Sequence, residues 1–184
     1  MHDALGMMEL SSVGLGYLVQ DAMLKSANVD LIVARTICSG KYVCVVGGDV
    51  SAVEASVAAG ERESQSGLVD QIVIPRIHPQ VFAALGGAVT LKDDQALALG
   101  IIETFSAASA IQSADEAAKA ANVTLFRLHL AMALGGKGFV LMTGTVSDVK
   151  AGVEAGATSA TEKGLLVSKV VIPRPRRELF QEYI

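Results

Sequence analysis

The sequence predicts an α/β protein of the α+β sandwich kind. Two tandem domains each combine a four-stranded antiparallel sheet with flanking helices, as in ferredoxin-like folds. An internal repeat carries this prediction. GKYVCVVGGDVSAVEASVAAG at 40–60 returns as GKGFVLMTGTVSDVKAGVEAG at 136–156, with ten of 21 positions identical. DAMLKSANVDL at 21–31 returns as DEAAKAANVTL at 115–125. Such matches at constant spacing indicate duplication of one domain.

Each repeat begins with a strand and a helix. In the first repeat the run from Leu5 to Leu10 predicts a short strand. The next segment has apolar residues at i, i+3, i+4, i+7 and i+8, as the buried face of a helix requires. These residues are Leu15, Leu18, Val19, Ala22 and Met23. Two extended runs, VDLIVARTI and KYVCVVGG, then predict a strand pair joined by a turn at Cys38.

A second helix and a last strand complete each repeat. Asp49 is the expected N-cap of this helix, and Ser51 with Glu54 has capping-box spacing. The valines of its predicted buried stripe occur in both repeats, as Val50, Val53 and Val57 and as Val146, Val149 and Val153. The run QIVIP predicts a strand that ends at a proline. The order strand-helix-strand-strand-helix-strand is the ferredoxin-like one.

The predicted domain limits are 1–90 for the first domain and 94–184 for the second. The stretch GGAVTLKDDQ at 86–95 contains glycines and then charges, as a linker does. Each half has roughly 90 residues, which is small for a self-sufficient core, so we expect the halves to pack side by side.

Composition argues against several classes of protein. A net charge of −4 gives no reason to expect nucleic acid as a partner. The longest apolar stretches, such as 96–102, are far shorter than the roughly 20 residues that span a membrane, and MHDALGMMEL does not resemble a secretory signal. Two cysteines indicate a reducing cytoplasm rather than a disulfide framework. A mean hydropathy of +0.46 favours burial of some surface against other copies.

Motifs of catalysis are absent from the sequence. It contains no G-x-S-x-G, no H-E-x-x-H and no P-loop, and GLGYLV at 14–19 lacks the third glycine of a dinucleotide site. The histidines His2, His78 and His129 are scattered, with His78 before a proline at an expected helix start. We therefore predict that the protein is not an enzyme.

The two cysteines have different predicted roles. Cys44 alternates with Val43 and Val45 inside a strand and is expected to be a small core residue. Cys38 ends a strand and enters a Ser-Gly turn, where it can be exposed. The equivalent turn of the second repeat, near Met132, is two residues longer. From spacing alone, Cys38 is either a tolerated small residue or a functional thiol.

Several stretches carry a resemblance to a known family. DAMLKSANVDL, GDVSAVEASVAAG and VIPR, in this order and in both repeats, resemble the BMC-domain shell proteins of bacterial microcompartments. The resemblance covers nearly the whole chain. RTICSGK at 35–41 is similar to the turn of tandem-domain members that carry a cysteine there, although Ser39 stands where the similar turn has proline.

The resemblance implies an assembly. Tandem members of this family form flat homotrimers that imitate a hexamer and join other shell proteins edge to edge inside the cytoplasm. The turns after the second strand of each domain meet at a central pore, which would place Ser39, Gly40, Leu134, Gly135 and Gly136 there. The residues of the tile edges would be Lys25, Lys119, Arg76 and Arg174.

The resemblance also implies that Cys38 is the ligand of a [4Fe-4S] cluster in the pore, one per trimer, serving electron transfer with an enclosed redox enzyme. A C3 trimer presents three equivalent thiolates, and a cubane has three-fold axes, so three irons take Cys38 and the fourth takes a non-protein ligand. Zinc with three thiolates and water fits the same axis. Two other functions remain: a passive tile with a pore for small metabolites, and a small-ligand sensor using the cleft between the halves.

Overall fold

The computed structural model describes residues 2–132 and 134–183, with the side chain of Asp93 left aside. It divides into two compact units. One comprises Met1–Ile77 with Met132–Gly135, and the other comprises His78–Ala131 with Gly136–Ile184. Both units have the predicted architecture, a four-stranded antiparallel sheet with flanking helices, so the predicted fold class is confirmed. In the described part of the chain, no helix has the length and apolar character needed to cross a membrane.

The first unit follows the predicted order of elements. They are β1 (Ala4–Leu10), α1 (Val13–Ser26), β2 (Asp30–Ile37), β3 (Lys41–Gly48), α2 (Val50–Ser64) and β4 (Leu68–Pro75). Single 3₁₀ turns at Cys38–Gly40 and Gln65–Gly67 precede β3 and β4. The strand order is β2-β3-β1-β4, the ferredoxin-like order.

The second unit repeats this plan after an additional helix. Its elements are α3 (Pro79–Gly86), β5 (Ala98–Thr104), α4 (Ala107–Ala120), β6 (Thr124–Leu130), β7 (Gly138–Gly144), α5 (Val146–Glu162) and β8 (Leu166–Ile172). Short 3₁₀ turns lie at Asp93–Gln95 and Arg177–Phe180. The strand order is β6-β7-β5-β8. A helix starts at Pro79, as the sequence predicted, and the structure shows His78 as its N-cap.

Helix starts follow the capping pattern only in part. The Asp49 carboxylate accepts the Ala52 N–H at 2.8 Å, which confirms Asp49 as the N-cap of α2. Ser51 lies inside the helix and donates its hydroxyl to Asp49 at 2.9 Å, so the capping box expected from Ser51 and Glu54 is wrong. Asp49 stands one residue before the helix and already accepts the N–H of the third helical residue, which leaves Ser51 no capping role.

The core of the first unit lies between the sheet and its two helices. Its buried residues are Met8, Leu10, Val19, Met23, Tyr42, Cys44, Val46 and Val57. α1 faces this core through Gly16, Val19 and Met23, so Leu18, which was expected to be buried, is turned aside and is 47% exposed. Likewise Val146 is 36% exposed, because it stands in the first turn of α5.

The second unit has a further cluster of buried residues that involves the C-terminal segment. Phe126 and Phe180 are each 1% exposed and their ring centroids lie 5.8 Å apart. Leu91 and Leu99 complete the cluster, and the Leu91 N–H donates to the Tyr183 carbonyl at 2.6 Å. The residues before β5 and after β8 therefore fold onto the same apolar surface of the second unit.

Packing divides the chain at a different place from the sequence repeat. The repeat predicted domains at 1–90 and 94–184, whereas the second unit already begins at His78, and Met132–Gly135 belong to the first unit. α3 lies against β6, where the Gln80 side chain donates to the Val123 carbonyl at 3.1 Å and accepts the Leu125 N–H at 2.7 Å. These bonds attach the end of the first repeat to the edge strand of the second unit.

Candidate functional site

The Cys38 turn is a tight connection between β2 and β3. Ile37 pairs with Lys41 across the strands, so only Cys38, Ser39 and Gly40 form the turn. Ser39 has φ 65° and ψ 29°, and Gly40 has φ 73°, so both are left-handed. Proline fixes φ near −65° and does not fit this conformation. The backbone here therefore excludes proline at position 39, the residue of the similar turn.

Two side-chain contacts fix the strands beneath the turn. Lys41 Nζ lies 2.6 Å from Glu9 Oε1, and Glu9 is only 2% exposed. The Tyr42 hydroxyl donates to Gln20 Oε1 at 2.6 Å. The tip itself is open, with Ser39 and Gly40 exposed and Cys38 half-buried. A rigid base and an exposed tip present the Cys38 side chain at the surface of the unit.

The two thiols are in different environments. Cys44 is fully buried, and burial raises its pKa to about 12. A thiol that is buried in apolar surroundings and has a raised pKa is a structural residue rather than a reactive one. Neither cysteine forms a disulfide. The prediction that Cys44 is a core residue is therefore confirmed, and Cys38 is the cysteine whose position is compatible with ligation.

The described part of one chain does not by itself supply a set of metal ligands. Among residues 2–132 and 134–183, no three His, Cys, Asp or Glu side chains come together as a metal-binding group. The donor set of one chain at this turn is thus one thiol. A metal or cluster bound at this turn would need the same thiol from other copies of the chain.

The turn between β6 and β7 is the repeat equivalent of the Cys38 turn, and it is longer and richer in glycine. It connects β6 to β7, and the Ala131 N–H donates to the Lys137 carbonyl at 3.0 Å across its base. Gly135 and Gly136 have φ values of 63° and 92°, which glycine adopts without strain. Leu134 is half-buried, and Gly135 is exposed. All five residues predicted to line a pore therefore lie in the two strand-connecting turns.

An ion pair beneath this second turn repeats the one in the first unit. Lys137 Nζ lies 2.5 Å from Glu103 Oε1, and these residues occupy the repeat positions of Lys41 and Glu9. Sequence reasoning did not single out this pair. The signal was present in the sequence. One lysine starts β3 and the other immediately precedes β7, and the glutamates are the penultimate residues of β1 and β5.

The four predicted tile-edge residues are all exposed. Lys25 pairs with Asp21 at 2.6 Å and Lys119 pairs with Asp115 at 2.6 Å, each within one helix. The others, Arg76 and Arg174, follow the prolines at the ends of the last strands, and Arg76 has a left-handed φ of 51°. Exposed cations at repeated positions are available for contacts with another molecule.

Fold and turns together define the class of protein, a duplicated ferredoxin-like α+β protein with one surface thiol per chain. A BMC domain model matches residues 4–77 and 98–175. The chain therefore belongs to the BMC-domain family of microcompartment shell proteins, with two tandem copies of the domain, as the sequence predicted. The same finding confirms the expected location in a bacterial microcompartment.

Individual relatives agree with this assignment. The chain is 46% identical to the bacterial microcompartment shell protein PduT of Citrobacter freundii over 184 residues, which is 100% of this chain and 99% of the relative. It is 42% identical to the shell protein PduA of the same organism over 81 residues, 43% of this chain and 87% of the relative. The crystal structure of a microcompartment protein from Desulfitobacterium hafniense superposes with a TM-score of 0.93 at 44% identity, covering 98% of this chain and 99% of that one.

Proposed function

We propose that three copies of this chain form a shell tile of six BMC domains, with one [4Fe-4S] cluster bound by the three Cys38 thiolates at a central pore. The tile passes electrons across the shell, and the protein has no enzymatic activity of its own. The observation that carries the proposal is the position of Cys38, which is half-buried on an exposed turn. The other cysteine, Cys44, lies in the core, where burial raises its pKa.

The residues of the turn fit the group chemically. Cysteine thiolates are the usual ligands of [4Fe-4S] clusters. Three-fold symmetry supplies three equivalent thiolates, and the fourth iron takes water or another small ligand. When bound, such a cluster accepts and releases single electrons. The turn at Ser39 and Gly40 offers main-chain N–H groups near the thiolates, and such hydrogen bonds tune a reduction potential.

The proposal includes the partners of the tile. The mean hydropathy of +0.46 supports burial of surface between copies. The exposed cations Lys25, Lys119, Arg76 and Arg174 supply donors for edge-to-edge contact with other shell proteins, of which PduA is an example among the relatives. An enclosed redox enzyme is the expected electron donor or acceptor.

A passive tile is the second candidate function. The turn residues Ser39, Gly40, Gly135 and Gly136 are small, and three of them are exposed, which suits a pore for small metabolites. In that case Cys38 is a tolerated small residue. A zinc ion held by three thiolates and water is the alternative occupant of the same ligand set.

Iron and acid-labile sulfide per trimer distinguish these functions. The protein is purified without oxygen, or reconstituted with iron and sulfide, and the reduced sample is examined by EPR. We expect about four irons and four sulfides per three chains. Cys38→Ser should remove both while the oligomeric mass stays unchanged. Cys44→Ala is the matched control and should keep the cluster, because Cys44 is buried in the core.

Each other outcome assigns a different function. Iron retained in Cys38→Ser would refute the ligand assignment. A colourless protein even after reconstitution, with Cys38→Ala assembling normally, would support the passive tile. One zinc per trimer that is lost in Cys38→Ser would replace iron by zinc at the same thiolates.

A further inference from the structure

Equivalent surfaces of the two units differ in exposure. Asp21 on α1 and Asp115 on α4 occupy the same repeat position, yet their side chains are 58% and 6% exposed. At the start of the following strands, Leu31 is 42% exposed and Leu125 is 1% exposed. The surface formed by Asp21, Lys25 and Leu31 in the first unit, called the α1–β2 surface below, is therefore open where its counterpart is covered.

The covered counterpart shows which chemistry fits this surface. The His78 N–H donates to Asp115 Oδ1 at 2.7 Å, while Asp115 Oδ2 accepts from Lys119 at 2.6 Å. Gln80 bonds to the main chain at the start of β6, and Val81 is fully buried. Asp21 Oδ2 accepts from Lys25 in the same way, so Oδ1 of Asp21 is accessible to a main-chain donor.

The chain contains a second segment of the required kind. VIPRIHPQVF at 73–82 aligns with VIPRPRRELF at 171–180, so Arg176 corresponds to His78, Glu178 to Gln80 and Leu179 to Val81. Leu179 is 50% exposed although Val81 is fully buried. The segment 176–179 thus presents exposed groups whose counterparts make buried contacts in the second unit.

We propose that residues 176–179 of one copy dock on the α1–β2 surface of the next copy. The occupant of that surface is a second copy of this chain, and the inference rests on the proposed trimer. The Arg176 N–H donates to Asp21, the Glu178 carboxylate accepts the Leu31 N–H, and Leu179 packs on Leu31. Because the donor and acceptor surfaces differ, the contact is head-to-tail, and three such contacts close the proposed trimer into a ring.

Charge supports this choice of occupant. Arg174, Arg176 and Arg177 make the segment after β8 basic, whereas Asp21 and Asp30 are exposed acids on the first unit. The Arg176–Glu178 pair, at 3.2 Å, joins side chains that are 86% and 65% exposed, so it holds them weakly and both are available to a partner. Complementary charges at two ends of one chain favour head-to-tail association over pairing of like surfaces.

An engineered disulfide tests the contact in a Cys38→Ser background. Asp21→Cys combined with Arg176→Cys should give covalent trimers on a non-reducing gel after mild oxidation. Mixing the two single variants should give covalent dimers only, because each copy then carries one reactive end. The control pair is Glu54→Cys with Arg176→Cys, since Glu54 is exposed on α2, outside the α1–β2 surface; it should give no covalent trimer.

Charge reversal gives a second readout. Asp21→Arg should raise the protein concentration at half-assembly about tenfold or more, because losing one hydrogen bond to a charged group weakens association by that factor. Adding Arg176→Glu should recover part of the lost association. Sedimentation velocity measures the mass, and circular dichroism confirms that the variants fold. A trimer whose cross-linking equals the control pair overturns the docking and leaves the trimer standing. A monomer at all concentrations overturns both.

Discussion

The two cysteines should differ sharply in reactivity in the cluster-free protein. Burial raises the pKa of Cys44 to about 12, so at pH 8 its thiolate fraction is about one in ten thousand. Its side chain is also fully inaccessible to a reagent. Cys38 is half-buried on an open turn, where a disulfide reagent reaches it. We therefore expect one fast thiol per chain, and reaction of the second only through unfolding.

Ellman's reagent at pH 8 measures this difference. The native wild type and Cys44→Ala should each release one fast chromophore per chain, and native Cys38→Ser should release none. In concentrated urea the wild type should release two and each variant one, which checks the count. A fast thiol in native Cys38→Ser would refute the buried environment of Cys44, and with it the assignment of Cys38 as the available ligand.

The same thiol should make stability depend on pH. The pKa of Cys44 lies near 9 when unfolded and about 12 when folded, so the unfolded state alone loses its proton between these values. The stability due to this group is complete below pH 9, and the free energy of unfolding then falls by about 1.4 kcal/mol per pH unit up to about pH 12. The difference between wild type and Cys44→Ala in urea titrations at pH 8 to 10.5 isolates this effect. A constant difference would contradict the reasoning.

Three further variants test the structure, each by urea unfolding at equal protein concentration. Gly60→Ala puts a Cβ 2.4 Å from Met8 Sδ, so overpacking should outweigh the helix-propensity gain and cost about 1–2 kcal/mol. Ser39→Pro opposes a φ of 65° and should cost about 2–3 kcal/mol and lower cluster content. Gln80→Ala leaves the Leu125 N–H and the Val123 carbonyl without their partner and should cost about 1–3 kcal/mol.

Each of these variants has a matched control. Gly14→Ala meets no atom within 4 Å and should be neutral or stabilising, so equal losses at Gly14 and Gly60 would contradict the packing argument. Ser39→Gly suits the left-handed turn and should not destabilise. Gln80→Glu keeps the acceptor for Leu125 but loses the donor to Val123, and it should lose less than Gln80→Ala. A null effect of Gln80→Ala would exclude its role at the β6 edge.

Sequence reasoning reached the elements because their causes are local. The alternation around Cys44, the cap at Asp49 and the prolines that end β4 and β8 each act within a few residues, so every strand and helix of the repeat could be predicted. Duplication then extended the prediction from one unit to the other. The family could be identified as well, since each motif that carries the resemblance is contiguous in the chain.

Two local expectations, the capping box at Ser51 and the burial of Leu18, were wrong because neighbouring residues satisfy the same sequence rule. Ser51 has capping-box spacing, yet Asp49 lies closer to the exposed N–H groups and takes the cap. Leu18 fits the helical period, but α1 meets its sheet through Gly16, where a small residue allows close approach to Tyr42. The sequence pattern contains both solutions, and packing selects one.

By itself the sequence determined the order of elements, the duplication, the family and the candidate ligand Cys38, because each is recorded in local pattern or repeated motif. Only the tertiary structure decided that the second unit begins at His78, that burial raises the pKa of Cys44, and that Ser39 is left-handed. Asp21 and Asp115 occupy equivalent positions of the sequence repeat but differ in exposure, because burial depends on which other residues of the folded chain pack on them.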